Sequence, residues 1–148
     1  MMSSRSTKIT VDILMSIFLI LSFVRWEDHN AVFHLAVGTA CALFFAIHVC
    51  IHRKWLKAVT KSCLAVKLNR TLKWKYIINI LLLAVWSIAI VTGFLAIGSF
   101  AGGIEWMLIF GRIHGITSRL GLALVIIHAI QHREQIVSYF KVFQNVSK

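Results

Sequence analysis

The chain has 148 residues, 59% of them hydrophobic and 14% charged, with 16 Lys and Arg against 5 Asp and Glu. Its mean hydropathy is +0.82. A soluble domain of this size would have to expose much of that apolar surface, so the composition excludes an ordinary soluble class and places the chain in a membrane. The basic residues gather between apolar runs, as loops facing the cytoplasm require, so no nucleic acid is expected as partner. The three cysteines, Cys41, Cys50 and Cys63, form no C-x-x-C or C-x-x-C-H motif, which excludes covalent c-type haem attachment. Cys41 and Cys50 sit in an apolar run and read as small core residues.

In chain order, a short basic segment with Arg5 and Lys8 precedes an apolar run from Ile9 to Val24, interrupted by Asp12. No small-x-small cleavage pattern follows it, so it reads as an uncleaved first span. Between Asp28 and Arg53 there is no Lys, Arg, Asp or Glu, which marks the second span. A connector from Arg53 to Lys75 carries eight basic residues. The third span follows Lys75 and ends near Gly98, where Gly98-Ser-Phe-Ala-Gly-Gly breaks the pattern. Ile104 to Phe110 either lies in the interface or leads straight into the fourth span, which runs from about Ile113 to His132. A basic tail ends the chain, and there is no proline to kink any span. Trp26, Trp55, Trp74 and Trp106 lie near span ends, as an aromatic belt would.

The Lys and Arg distribution orients the spans. Two fall in the N-terminal segment, eight in the connector and three in the tail, against Arg25 and Arg112 in the two opposite loops. The positive-inside rule then puts both termini and the connector in the cytoplasm. The expected fold is all-α: an integral membrane four-helix bundle built from two repeated helical hairpins. The first hairpin covers about residues 8–56, the basic connector about 53–75 and the second hairpin about 75–135.

The repeat is carried by histidines. His34, His48 and His52 have the form H-x13-H-x3-H, and so do His114, His128 and His132, offset by 80 residues at each position. Val11-Asp-Ile-Leu and Ile78-Asn-Ile-Leu repeat at an offset of 67, setting Asp12 against Asn79. The second copy is therefore 13 residues longer, a difference assigned to its external loop. Fourteen helical residues rise about 21 Å and stop about 40° short of four turns, so His34 and His48 share a face near opposite ends of one span. His114 and His128 do the same. That separation is too large for one metal ion. It suits two non-covalent haem b groups, each held by two axial imidazoles from opposing helices between apolar walls. The candidate ligands are His34 with His114 at the outer face and His48 with His128 at the inner face. Gly38, Ala42, Gly115 and Gly121 would let a flat ring approach the backbone.

His52 and His132, one turn further on, are the competing inner ligands. The 14-residue spacing favours His48 and His128, leaving His52 and His132 at the interface to meet a propionate, a quinone or solvent. Asp12, at the depth of His48 and His52, is a candidate second-sphere acceptor for one of those imidazoles; a helix N-terminal carboxylate is the alternative. Arg119, about 140° around its helix from His114, is a candidate partner for a propionate or headgroup. His29, beside Glu27 and Asp28, reads as a solvated loop residue.

H-x13-H on alternate helices resembles the b-type cytochrome pattern of respiratory cytochrome b and ferric reductases. H-x13-H-x3-H followed by Arg53-Lys-Trp55 is more closely similar to the flavinylation-associated cytochromes, a family of small bacterial membrane proteins formerly known as a domain of unknown function. The resemblance covers nearly the whole chain as two hairpins; the second copy departs from it, since His132-Arg-Glu-Gln lacks the Trp. It implies non-covalent haem b and transmembrane electron transfer. It also implies a flavin-carrying extracytoplasmic partner; a bacterial or archaeal cytoplasmic membrane and a quinone or a redox partner protein are expected beside it. No G-x-G-x-x-G or P-loop motif is present, and there is no room for a soluble catalytic domain, so an electron-transfer subunit is expected rather than an enzyme acting alone. The competing readings are a metal-ion transporter or sensor using the H-x3-H pairs and a non-redox membrane anchor. The transporter reading explains four of the six repeated histidines, and acidic residues to share its sites are scarce.

Overall fold

The structure, a computed structural model, describes residues 4–24, 31–64, 70–98 and 104–138. The readings made above for Arg25, Trp26, His29, the glycine-rich loop after Gly98 and the end of the basic tail fall outside these residues. Among the described residues there is no strand, and only Val24 and His132 lie outside a helix. Four long helices follow one another: α1 (Ser4–Phe23), α2 (Ala31–Leu64), α3 (Arg70–Gly98) and α4 (Ile104–Gln131). After the turn at His132 the helical path resumes over residues 133–138.

Each long helix is apolar over enough residues to cross a membrane, so this is an all-α, multi-pass membrane protein. The reason is the solvent. In hydrocarbon every backbone N–H and C=O needs a partner within the chain, and a helix supplies one to each residue. The hydroxyls are settled in the same way. Ser16 donates to the Asp12 carbonyl, Ser87 to Leu83, Thr92 to Ile88 and Thr117 to Ile113, each at 2.7 Å. Large apolar side chains point outward: Ile20, Val32, Leu43 and Ile130 are each at least 60% exposed. In water that surface would drive aggregation; against lipid tails, as apolar as leucine, it carries no such penalty. The buried apolar residues are few and compact, among them Val11, Leu19, Val37, Cys41 and Ala89. Cys41 therefore packs inside as expected, whereas Cys50 is exposed.

The chain divides into two units, Met1–Lys61 and Ser62–Lys148. The first is the α1–α2 hairpin. Phe18 stacks on Phe44 with ring centroids 5.4 Å apart, and an Asp12–His48 bond joins the same two helices nearer the open end, away from the turn. The second is the α3–α4 hairpin. There a Cβ on Gly121 would lie 3.1 Å from the Trp86 Nε1, so the Trp86 indole occupies the place of a side chain. Gly121 is thus a packing glycine for Trp86 and offers no surface to a flat ring. Gly38 and Gly115 do face open space.

Two boundaries differ from the sequence reading, and one alternative left open is decided. The connector is largely helix: α2 runs 34 residues to Leu64, and α3 already begins at Arg70. At about 1.5 Å per residue α2 is about 51 Å long, far beyond the hydrocarbon thickness of about 30 Å. The surplus turns carry Arg53, Lys54, Lys57 and Lys61, all exposed. Ile104 to Phe110 leads straight into the fourth span, the second of the two alternatives above, as the first two turns of α4, with Trp106 stacked on Phe110 at 6.2 Å. Finally, the extra length of the second copy is helix rather than loop. Relative to the repeat, α3 continues eight residues further than α1, and α4 begins seven residues earlier than α2.

Candidate functional site

In α1 and α2, Asp12 is the only acidic side chain. It lies two turns into α1, within a run of Ile, Leu and Val that has no other use for a carboxylate. Across the hairpin, His48 Nδ1–H donates to Asp12 Oδ1 at 2.7 Å, with the two side chains 23% and 28% exposed. His52, the next turn of α2, places its ring centroid 4.6 Å from that of His48, tilted by 41°. One ligand-capable atom each from Asp12, His48 and His52 fall within 4.8 Å of one another.

The second hairpin repeats the arrangement. His128 Nδ1–H donates to Asn79 Oδ1 at 2.7 Å, and the His128 and His132 rings stand 4.6 Å apart with a 39° tilt. Asn79 holds the position that Asp12 holds in the first copy. The side chain differs in charge, but the acceptor oxygen, the donor nitrogen and the distance are the same. His132 Nδ1–H donates in turn to Gln135 Oε1 at 3.0 Å, and its Nε2 is buried without a protein hydrogen-bond partner.

Nearer the turn of the second hairpin, His114 is held from the backbone. Its Nδ1–H donates to the Ala89 carbonyl at 2.8 Å. Gly93, one turn beyond Ala89 on α3, makes the approach possible: a Cβ there would come within 3.0 Å of His114 Nδ1 and 3.1 Å of its Cε1. Thr92 is buried beside it, with its hydroxyl on the Ile88 carbonyl and, at 3.2 Å, on that of Ala89. His34, the counterpart in the first copy, is an exposed residue in the first turn of α2.

These bonds fix tautomers. A carboxylate, an amide oxygen and a backbone carbonyl can only accept, so each bonded Nδ1 carries the proton. In the neutral ring Nε2 is then the nitrogen with the lone pair. Anchoring one ring nitrogen on an oxygen so that the other can coordinate is the usual arrangement of metal-ligating histidine. It orients the ring and makes the coordinating nitrogen more basic. Of the histidines selected from sequence, His48, His114 and His128 carry such anchors on neighbouring helices. Arg119 does not join them. It is exposed and shares an open apolar groove with Arg112, Gly111 and Gly115 on α4 and Ala96 and Ile97 on α3.

The sequence reading left three contributors to the site unassigned. Asn79 stood only as a repeat partner of Asp12. Gly93 had one available signal, a glycine inside an apolar run, which often marks close approach. The Ala89 carbonyl had none, since any residue offers a backbone oxygen. No protein-family model matches the chain, nor does any curated protein or solved structure.

Proposed function

We propose that the protein is a haem b-binding membrane cytochrome that carries electrons across a bacterial or archaeal cytoplasmic membrane, of the flavinylation-associated cytochrome type. In this reading each haem takes one imidazole from each hairpin: His48 and His128 at the inner site, His34 and His114 at the outer site. Both termini and the basic connector face the cytoplasm. Electrons come from quinol or a cytoplasmic-side donor and leave for an extracytoplasmic acceptor, such as a flavin-carrying protein.

The observation that carries the reading is the equivalence of the two open-end anchors, His48 on Asp12 and His128 on Asn79, both at 2.7 Å. What the two copies share is an oxygen that accepts the Nδ1 proton, not a charge. An amide serves that role as well as a carboxylate does, but is a poor ligand for a bare cation. The donor set fits haem: neutral imidazoles with Nε2 as the coordinating atom, in apolar helices, repeated at 14-residue spacing on α2 and α4. Open space at Gly38 and Gly115 suits close approach of a flat macrocycle.

When bound, haem iron supplies one-electron Fe(III)/Fe(II) exchange. The chain's own residues hold and tune it. Asp12, Asn79 and the Ala89 carbonyl keep the protons on Nδ1 and orient the rings. Gly93 clears room for His114. The apolar side chains of the spans exclude water and keep the effective dielectric low.

One observation favours a second reading. Asp12, His48 and His52 together offer two imidazoles and one carboxylate to a divalent transition metal, as a transporter or sensor would use. It restores the acidic partner that such a reading needs. The second hairpin, however, has Asn79 in place of the carboxylate. A reduced-minus-oxidised optical spectrum of the purified protein, with metal analysis of the same sample, separates the two. Stoichiometric haem b bands support the cytochrome; zinc, copper or nickel without them supports the second reading.

A further inference from the structure

The inner histidines are held by the same atom at the same distance, but against different charges. His48 donates to a carboxylate and His128 to a neutral amide, both at 2.7 Å. The structure thus contains its own control, because geometry is matched and charge is not. Resting on the cytochrome reading above, we propose that Asp12 is the potential-setting residue of the inner site. Its carboxylate holds the inner iron at a lower reduction potential than two neutral anchors would give, favouring that site as an electron donor to its acceptor.

A carboxylate 2.7 Å from Nδ1 places a net negative charge directly against the His48 ring. Were haem iron held through Nε2, that charge would make the ring a stronger donor and favour the ferric state over the ferrous. Asn79 offers a dipole and no net charge. Among the described residues of the first hairpin, no Lys or Arg side chain pairs with Asp12. Arg53, Lys54 and Lys57 are exposed on the extension of α2, where water and salt screen them. Lys8, one turn before Asp12, makes no ion pair with it. Asp12 itself is half-buried in a helix pair, where screening is weaker. Nothing in packing alone calls for a charge here, since the second hairpin closes the same bond with an amide.

The test is a spectroelectrochemical titration of the full-length, haem-loaded protein and three variants: Asp12→Asn, Asn79→Asp, and the double exchange. Asp12→Asn keeps an acceptor oxygen, so the His48 anchor survives. The expected result is a positive shift of one of the two couples, with haem content unchanged. Asn79→Asp should shift the same couple negative, and the double exchange should return it close to the wild-type value. Two unmoved couples in both single variants, at full haem content, would overturn the proposal. So would loss of haem in Asp12→Asn combined with an unchanged potential in Asn79→Asp, which would make Asp12 a structural partner only. A wild-type protein that takes up no haem would overturn the cytochrome reading itself and is distinguishable from either.

Discussion

At the scale of single residues, the account depends on which imidazole nitrogen is held and by what. Gly93 is the most sensitive position. Gly93→Ala places a methyl 3.0 Å from His114 Nδ1, against a ring that is also bonded to Ala89, so the ring must turn away or α3 and α4 must part. Gly93→Ala should therefore lower occupancy of the outer site with little loss at the inner one, read as the haem-to-protein ratio. Asn79→Leu removes the His128 acceptor. Interhelical hydrogen bonds in membranes contribute about 0.6 kcal/mol on average and up to about 1.7, so the hairpin should still fold. Haem affinity at the inner site should fall by about 10- to 100-fold, the usual cost of losing such an anchor; a haem titration of the apoprotein measures it. His52→Ala and His132→Ala should retain both haems, whereas His48→Ala or His128→Ala should lose the inner one. Loss in the opposite pattern would move the ligands by one helical turn.

The histidines and Asp12 were legible in the sequence because an ionisable group in an apolar span stands out against its neighbours. Repetition at one spacing separated them from incidental polar residues. The acceptors were harder to read for physical reasons. Asn79 is polar but ordinary, Ala89 acts through an atom every residue has, and Gly93 acts by lacking one. Gly121 shows the converse: a glycine near a candidate ligand that serves a tryptophan instead.

At the scale of elements, span number and order were readable because lipid leaves a chain little choice but helix. The boundaries were not, because charge marks where a helix leaves the hydrocarbon and not where it stops. α2 passes Arg53 and continues to Leu64 with its lysines solvated. This extension should behave as a helix in water. Amide hydrogen exchange should show it protected less than the spans and more than an unstructured linker. A proline at Lys57, on the exposed side, should unravel it and leave haem binding intact, since His48 and His52 precede it. In α4 the segment from Ile104 leads straight into the span, with Trp106 and Phe110 stacked within its first two turns. At the same scale, Gly121→Leu should disrupt the second hairpin by displacing the Trp86 indole, with a loss of thermal stability measurable in detergent.

At the scale of the whole molecule, the four spans are settled by length and apolarity, and the proposed orientation rests on 16 basic residues gathered mainly in the connector and at the termini. Reporter fusions after Lys61 and at the C-terminus should read as cytoplasmic, and one between Gly98 and Gly103 as external. The reverse would exchange the inner and outer sites. The central claim is that paired histidines from the two copies hold two haems. Its most direct test is the haem-to-protein ratio of the purified wild-type chain beside His114→Ala. The account predicts two haem b per chain in the wild type and one in the variant, with the remaining haem still reducible. A wild-type preparation without haem, or a variant that keeps both, would contradict it.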